Sequence, residues 1–430
     1  MAADSCHPRG LSWLARSCIP ADPARHIAVP VPISAASTSS NPASDSEESP
    51  ISALPDELLL ECLARVPRAS LPPLPLVCRR FAALLASHGF LHLRRAHGRI
   101  RPCLLAVSVS SAHGAAVTFA RALLQLGASS RPELEVAALP LPPPLLHCAG
   151  SSAFAHARAV ALGREVFLIG RGATLRVDAL TGAARACAPT LFQRKKFAAA
   201  AVGSRIYVAG GTARTAAVEE YDPAADAWRV VAEAPRRRYG CAGAAAGGVF
   251  YVAGGVAVSG HPGGDGAPRS LEAHACAGSV DALHVASGAW AWSARPRAVP
   301  GGGCVVGACG AGDGHLYVVA SHAADLSFWR WSGGGANRGG GGSCGWVALE
   351  APPVPRGSVG LGMAVRVALA GVGGDRVAAV VNVAAVRGHN AAGGALEGLV
   401  VVYDIGGGKW SRAPDLPPGF RRAACAAVEC

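Results

Sequence analysis

The stretch Tyr207-Val208-Ala209-Gly210-Gly211 is repeated 44 residues later as Tyr251-Val252-Ala253-Gly254-Gly255, and Arg194 is repeated at the same offset as Arg238. Each copy is an apolar run that ends in two glycines. An echo at this spacing is typical of stacked β-blades, because each repeat is one unit that buries its apolar face only against its neighbours. The repeat therefore predicts an all-β array, which presents loops to a partner.

Five units with this pattern can be aligned, although only the second carries every marker. They lie within residues 167–194, 206–238, 250–290, 316–356 and 377–412. In the second unit, Asp222-Pro223 with Asp226 predicts a turn between two outer strands. Trp228 is large enough to fill the gap between adjacent blades, so we interpret it as core and not as a ligand site.

The two ends of the array predict how it closes. Residues 104–109 and 134–138 read as strands of a first blade, but no strand of the preceding type comes before residue 102. Residues 421–428 have the character of that missing strand. We therefore predict that the C-terminal strand completes the first blade, which gives six blades and leaves no open sheet edge.

Composition fits this architecture and narrows the function. Hydrophobic residues make up 51% of the 430 residues, charged residues 16%, and glycine numbers 54. No apolar run reaches the roughly 18 residues that a membrane span needs, and the start lacks the pattern of a secretory signal. The 14 cysteines are scattered, which predicts reduced thiols in the cytoplasm or nucleus and no metal or other cofactor. A net charge of +12 without a long polybasic run favours an acidic protein partner over nucleic acid.

The chain before residue 102 predicts two further regions. Residues 1–50 are rich in Ser, Pro and Ala without a persistent period, and we expect a disordered arm. Residues 51–101 predict a small helical module, with one helix that starts at Leu54-Pro55 and stops at Pro67. A second apolar stripe follows Ser70 at three- and four-residue spacings, where Pro75 is expected to break or distort a helix.

Residues 51–90 resemble the F-box in the order Leu54-Pro55, Val66-Pro67 and Val77-Cys78-Arg79-Arg80-Phe81. The resemblance implies that the module binds the Skp adaptor of SCF-type cullin–RING ubiquitin ligases. Its implied contacts are apolar and recur along the short helices: Leu54, Pro55, Leu58, Leu63, Val66, Leu71, Leu74 and Val77. The alternative is a helical cap that only covers the propeller.

Residues 102–430 resemble the kelch repeat, through the Gly-Gly, Tyr-Asp and Trp markers above, and the whole chain resembles plant F-box/kelch-repeat proteins. The resemblance implies a six-bladed kelch-type β-propeller and a substrate-recognition subunit that presents a client protein for ubiquitination and degradation. A ligase-independent kelch scaffold is the first alternative. A propeller enzyme is the second, although the sequence shows no Ser/His/Asp order or His-Glu-x-x-His motif that predicts catalysis.

Basic residues recur in the links between blades, on the face that we predict to lie opposite the F-box. Guanidinium groups bind carboxylate or phosphate partners through paired hydrogen bonds. We therefore predict an electropositive client-binding mouth, and the alternative is a solvated rim. The predicted client-binding residues are Arg194, Arg238, Tyr239, Arg356 and Arg422.

Overall fold

The computed structural model describes residues 50–51, 53–110, 118–126, 132–139, 153–257, 276–291, 297–322, 325–332, 345–355, 363–385 and 396–430. The chain divides into two compact units, residues 1–54 and 55–430. Nearly all of the first unit, including the predicted disordered arm, lies outside the described residues. The second unit contains both the helical module and the strands.

Three α-helices and two single 3-10 turns form the helical module. Helix α1 spans Asp56–Arg65, α2 spans Arg79–Ala86 and α3 spans His88–Ala96. The 3-10 turns, Arg68–Ser70 and Leu74–Leu76, lie between α1 and α2. No helix in the described ranges is both long and apolar enough to cross a membrane.

The second helix begins later than the apolar stripe after Ser70 predicts. Helix α2 starts only at Arg79, after Cys78, whose Sγ accepts a hydrogen bond from the backbone N–H of Phe81 at 3.4 Å. Pro75 lies inside the preceding 3-10 turn. Because proline removes a backbone donor and clashes with the preceding turn, the segment forms short turns where the spacing alone indicates a helix.

Six blade sheets of antiparallel strands and one additional two-stranded sheet follow the helices in the described part of the chain. The first three sheets consist of β1 (Pro102–Ser110), β2 (Thr118–Gln125) and β3 (Glu133–Ala138); β4 (Arg158–Leu162), β5 (Glu165–Ile169), β6 (Thr174–Asp178) and β7 (Ala184–Cys187); and β8 (Ala198–Val202), β9 (Arg205–Ala209), β10 (Ala217–Asp222) and β11 (Ala227–Glu233).

The two-stranded sheet consists of β12 (Arg238–Tyr239) and β15 (Val256–Ala257). The fourth blade contains β13 (Ala242–Ala246), β14 (Val249–Ala253), β16 (Ser279–His284), β17 (Ala289–Trp290) and β18 (Arg297–Ala298). The last strands are β19 (Cys304–Gly310), β20 (Leu316–Ser321), β21 (Leu326–Ser332) and β22 (Gly345–Leu349); β23 (Met363–Val372), β24 (Arg376–Ala385), β25 (Leu396–Asp404) and β26 (Lys409–Arg412); and β27 (Ala424–Glu429).

The predicted closure is confirmed. Strand β27 pairs antiparallel with β1, with Ala426 opposite Leu105, so the first sheet has the order β27-β1-β2-β3. The ladder continues past the strand end, because the N–H and C=O groups of Arg101 and Cys430 bond to each other at 2.9 and 3.0 Å. The protein is therefore a six-bladed β-propeller whose first blade is shared between the two ends of the strand region.

The first strands of the blades form a closed ring, and we call them the inner strands. Each contacts the next in the order β27, β4, β8, β13, β19, β23 and back to β27. They approach closely because their residues are small. A Cβ on Gly243 of β13 would lie 2.3 Å from the backbone nitrogen of Ala199 in β8. This close approach of the two strands requires glycine at position 243.

The blade-to-blade packing also follows the sequence markers. Trp228 is 8% exposed, packs on Tyr221 with ring centroids 4.9 Å apart, and donates from Nε1 to the Ala188 carbonyl of the preceding blade at 2.8 Å. Gly210 has φ of +72°, and a Cβ there would lie 2.7 Å from the Arg238 carbonyl. The predicted role of Trp228 as core is confirmed, and Gly210 lies where the close approach of the next blade requires glycine.

Arg194 forms a buried clamp at the corner of the third blade. Its guanidinium bonds Glu219 at 2.7 Å from Nε and the carbonyls of Gly210 and Ala217 at 2.7 Å each. Both charged side chains are 0% exposed. All three guanidinium nitrogens of Arg194 thus have hydrogen-bond partners, which offset the cost of desolvating the buried ion pair.

The helical module packs on the propeller at the end of the ring where the inner strands finish. Arg164, in the turn after β4, donates to the Leu85 carbonyl of α2 at 2.6 Å, and Arg95 of α3 pairs with Glu429 of β27 at 3.0 Å. One apolar core is shared by Phe90 of α3 and Val428 of β27. The helices therefore lie on the face that contains the first turn of each blade, as the sequence predicts.

We predict that deleting residues 424–430 destabilises the whole propeller. The deletion removes the buried side chains of Ala424, Ala426, Val428 and Cys430 and exposes the β1 edge, which costs about 4–6 kcal/mol of apolar burial. Urea unfolding of the full chain and of the truncated protein measures the difference in the free energy of unfolding. The control Glu429→Ala loses only an exposed ion pair and should change stability by less than about 0.5 kcal/mol. An unchanged midpoint for the truncated protein would contradict the closure.

We also predict that Arg194→Ala lowers the free energy of unfolding by about 3–5 kcal/mol, because Glu219 is left as a buried, unpaired charge. The double variant Arg194→Met/Glu219→Leu should lose less, since it removes both charges. The matched control is Arg412→Ala, whose pair with Asp415 is 67% exposed on the arginine side and should be worth under about 1 kcal/mol. Equal losses in Arg194→Ala and Arg412→Ala would show that the clamp contributes nothing.

Candidate functional sites

The helical module has a buried side that fixes its shape. Leu63 is 5% exposed and Leu71 is fully buried. Val66 and Leu74 are half-buried against the same core. Arg94, 1% exposed, donates to the carbonyls of Ala64 and Val66 near the end of α1. These four apolar members of the predicted adaptor site therefore support the module from inside.

The other members of the predicted adaptor site are exposed. Leu58 is 54% exposed and Val77 65%, and Pro55 is exposed beside them in the sequence. Leu54, in the first unit, is 36% exposed. Exposed apolar side chains that cluster on a small module are typical of a protein-binding surface.

An ion pair joins the start of α1 to the start of α2, close in sequence to the exposed apolar residues. Asp56, at the start of α1, accepts from Arg80, at the start of α2, at 2.7 Å. Leu58 and Val77 flank these two residues in sequence. Leu76, adjacent to Val77, is 86% exposed. The sequence analysis missed Leu76, because a helical stripe through Leu74 and Val77 places position 76 on the polar side. We call Leu58, Leu76 and Val77 the apolar helical surface.

The predicted client-binding mouth requires a correction at two positions. Arg194 is enclosed as described above. Arg238 is 1% exposed and bonds Asp281, Ser279 and the Gly254 carbonyl, with 2.6 Å between its Nη2 and Asp281. The two arginines recur because each holds the corner of its own blade. Their guanidinium groups are consequently unavailable to a client.

Two of the remaining members of the predicted mouth, Arg422 and Tyr239, are not enclosed in this way. Arg422 is exposed and precedes inner strand β27, and Tyr239 is half-buried and precedes β13. Both lie where the links between blades arrive, and we call this the linker end of the ring. It is opposite the end that carries the helices. Their contact with a client stays a prediction, and Arg356 lies outside the described residues.

Other basic side chains share the linker end. Lys195 and Lys196 precede β8, Arg158 begins β4, and Arg366 lies in the first half of β23. None of these four residues was predicted from the sequence as client-binding. The sequence does not show whether an arginine in a strand lies on an inner or an outer strand of its blade. Within the described part of the chain, no group of three or more His, Cys, Asp and Glu residues could hold a metal ion.

Comparison with known proteins places these features in a family. The F-box domain family matches residues 51–93, and the Kelch motif family matches residues 193–235. An F-box/kelch-repeat protein of Arabidopsis thaliana is 42% identical over 445 residues, which cover 99% of this chain and 100% of that protein.

Two shorter similarities involve only 14% of this chain. A putative F-box protein of Arabidopsis thaliana is 48% identical over 61 residues and is covered over 47% of its length. A putative F-box/kelch-repeat protein of the same plant is 47% identical over 62 residues and is covered over 21%. The similarity to the first relative extends over nearly the full length of both chains and agrees with the observed helices and six blades, which decides the family. The chain belongs to the F-box/kelch-repeat protein family.

Proposed function

We propose that this protein is the substrate-recognition subunit of an SCF-type cullin–RING ubiquitin ligase. The apolar helical surface binds the Skp adaptor and, through it, the cullin. The propeller binds a client protein for ubiquitination and degradation. The observation that carries the proposal is the exposure of Leu58, Leu76 and Val77 on a helical module that is otherwise well packed. Such side chains gain free energy only when a partner covers them.

The packing between helices and propeller supports a receptor role. The module shares its core with the first two blades and is tied to them by Arg164 and Arg95. An adaptor bound to the helices is thereby held at a fixed orientation to the propeller. The linker end, on the opposite side, stays free for a client. A rigid receptor raises the effective concentration of client lysines near the ubiquitin-carrying enzyme.

On this proposal the chain has no catalytic step of its own. Ubiquitin transfer is performed by the other subunits, and the receptor contributes only binding and position. The proposed site of action is the cytoplasm or the nucleus, in keeping with the scattered cysteines of the sequence. A ligase-independent scaffold is the competing function, and adaptor binding separates the two.

We predict that Leu58→Ala/Val77→Ala weakens adaptor binding about 30-fold without destabilising the fold. Each truncation removes about 1 kcal/mol of apolar contact in the complex, and about 2 kcal/mol in total corresponds to this loss of affinity. Binding of purified Skp adaptor to the full chain, measured by calorimetry, gives the affinity. Thermal unfolding checks that the fold is intact.

The matched control is Leu191→Ala/Val230→Ala, which truncates the same residue types on the propeller. Leu191 is 56% exposed and Val230 48%, so the two double variants remove similar amounts of exposed apolar surface. This control should bind adaptor with unchanged affinity. Adaptor binding at the wild-type level by Leu58→Ala/Val77→Ala would rule out the helical surface. Absence of adaptor binding by the wild-type chain would favour the scaffold.

A further inference from the structure

Positive side chains from four consecutive blades converge at the linker end of the ring. Inner strands β23, β27, β4 and β8 are neighbours in that order. Each has basic residues at or near its start, on the side away from the helices. In ring order these are Arg366, Arg421 with Arg422, Arg158, and Lys195 with Lys196. The other two inner strands contribute Tyr239 and a glycine-rich turn, Pro300–Gly302.

Two of these side chains show how narrow the linker end is. Arg158 of the second blade donates from Nε to the Phe197 carbonyl at 2.7 Å and from Nη2 to the Cys241 carbonyl at 2.9 Å. Cys241 precedes the fourth blade, so this guanidinium reaches past the third. The Lys196 ammonium lies 5.6 Å from the centre of the Tyr239 ring, which also joins the third and fourth blades. The cations therefore extend across the end of the ring and do not lie on its outer rim.

The cations at this end have no acidic partners among the described residues, unlike many other arginines of the propeller. Arg164, Arg194 and Arg238 each pair with a carboxylate. Lys195, Arg366 and the two arginines before β27 take part in no ion pair that the described residues form, and Arg158 bonds only backbone carbonyls.

Electrostatics at the same groups agree with this arrangement. Burial and then neighbouring cations lower the pKa of Lys196 and of Arg366. Burial and the charges of Lys195, Lys196, Arg366 and Arg422 lower the pKa of His156 to about 4, so this imidazole is neutral at pH 7. Lys196 also has φ of +55°, a left-handed backbone conformation that favours glycine. Both the left-handed backbone and the neighbouring positive charges therefore disfavour a lysine at position 196.

We propose that the linker end of the ring binds an acidic segment of the client, a short peptide run that carries carboxylate or phosphate groups. This inference rests on the proposed receptor function and names the chemistry of the client. Several separate cations require several negative charges to balance them, which a run supplies and a single carboxylate does not. Arginine forks suit carboxylate and phosphate geometry, and lysines add point charges. Tyr239 offers an aromatic wall beside them.

Fluorescence anisotropy with a fluorescein-labelled hexaglutamate peptide and the full chain tests the proposal. The wild-type chain should bind this probe and not a labelled hexaglutamine, and binding should weaken as salt rises through about 0.15 M. Lys196→Asn/Arg422→Gln should weaken binding at least about tenfold, because it removes two charges from the linker end. Asparagine is chosen because it tolerates the left-handed backbone at position 196.

The matched control is Arg185→Gln/Lys409→Gln, which removes the same net charge from exposed positions on strands β7 and β26 at the outer edges of their blades. This control should retain affinity within about twofold. Equal affinity in both double variants would overturn the proposal, and so would failure of the wild-type chain to bind the probe. Displacement of the probe by inorganic phosphate at equal charge concentration would show a general anion site and would likewise overturn it.

A phosphoserine version of the peptide identifies the source of the negative charge. Tighter binding of the phosphopeptide indicates a phosphorylated client, and tighter binding of hexaglutamate indicates an acidic one. Adaptor affinity is measured on the same variants. If Lys196→Asn/Arg422→Gln keeps adaptor but loses peptide, both proposals stand. If peptide binding is unchanged while Leu58→Ala/Val77→Ala abolishes adaptor binding, only the client inference fails.

The imidazole of His156 reports where the peptide binds. An anion near Lys195, Lys196, Arg366 and Arg422 screens their repulsion and stabilises the imidazolium, so saturating hexaglutamate should raise the pKa of His156 from about 4. Titration of the histidine signals by NMR measures this, and His156→Gln assigns the signal. An unchanged His156 pKa with peptide bound would place the ligand elsewhere and contradict the proposal.

Discussion

The hydrogen-bonded ladder between β27 and β1 is the contact on which the other features depend. Its partners are more than 300 residues apart in sequence, with five blades between them in the chain. Once formed, it leaves the propeller with no unpaired inner edge and completes the ring of inner strands. The helical module packs directly on this closure, because Arg95 pairs with Glu429 and Phe90 shares a core with Val428.

Closure also gives the two ends of the ring different chemistry. The inner strands all begin at one end, where the links between blades bring basic side chains together. They finish at the other end, where the helices cover them. Corner arginines such as Arg194 and Arg238 are neutralised inside their own blades by Glu219 and Asp281. The cations that remain without such partners lie at the linker end, which separates the proposed client surface from the apolar helical surface.

Much of the fold could be predicted from the sequence because its signals are local or repeated. The Gly-Gly echo predicts blades, Trp228 predicts their packing, and the absence of a strand before residue 102 predicts closure from the C-terminus. The sequence also predicts that Pro75 interrupts the apolar stripe after Ser70, and this is confirmed, because the segment forms 3-10 turns and α2 begins only at Arg79. Leu76 was missed because the stripe through Leu74 and Val77 places position 76 on the polar side, outside the contacts that the stripe predicts.

The client site was harder to predict because recurrence does not distinguish function from architecture. Arg194 and Arg238 repeat at one position of the blade, and so does any residue that holds a blade corner. Only the placement of Glu219 and Asp281, on strands that come later in the chain, shows that these arginines are structural. Arg366 carries no repeat signal at all, and its position beside Arg422 depends on the meeting of the sixth blade with the first.

Hydrogen exchange of the β27 amides tests the closure most directly. Exchange is governed by the free energy needed to open each hydrogen bond, and a frayed terminus exchanges almost without protection. The account predicts that the hydrogen-bonded amides of Ala424–Glu429 are protected as strongly as those of inner strand β23, and that both exchange in one cooperative opening. Rapid exchange of Ala424–Glu429 in an otherwise protected propeller would contradict it.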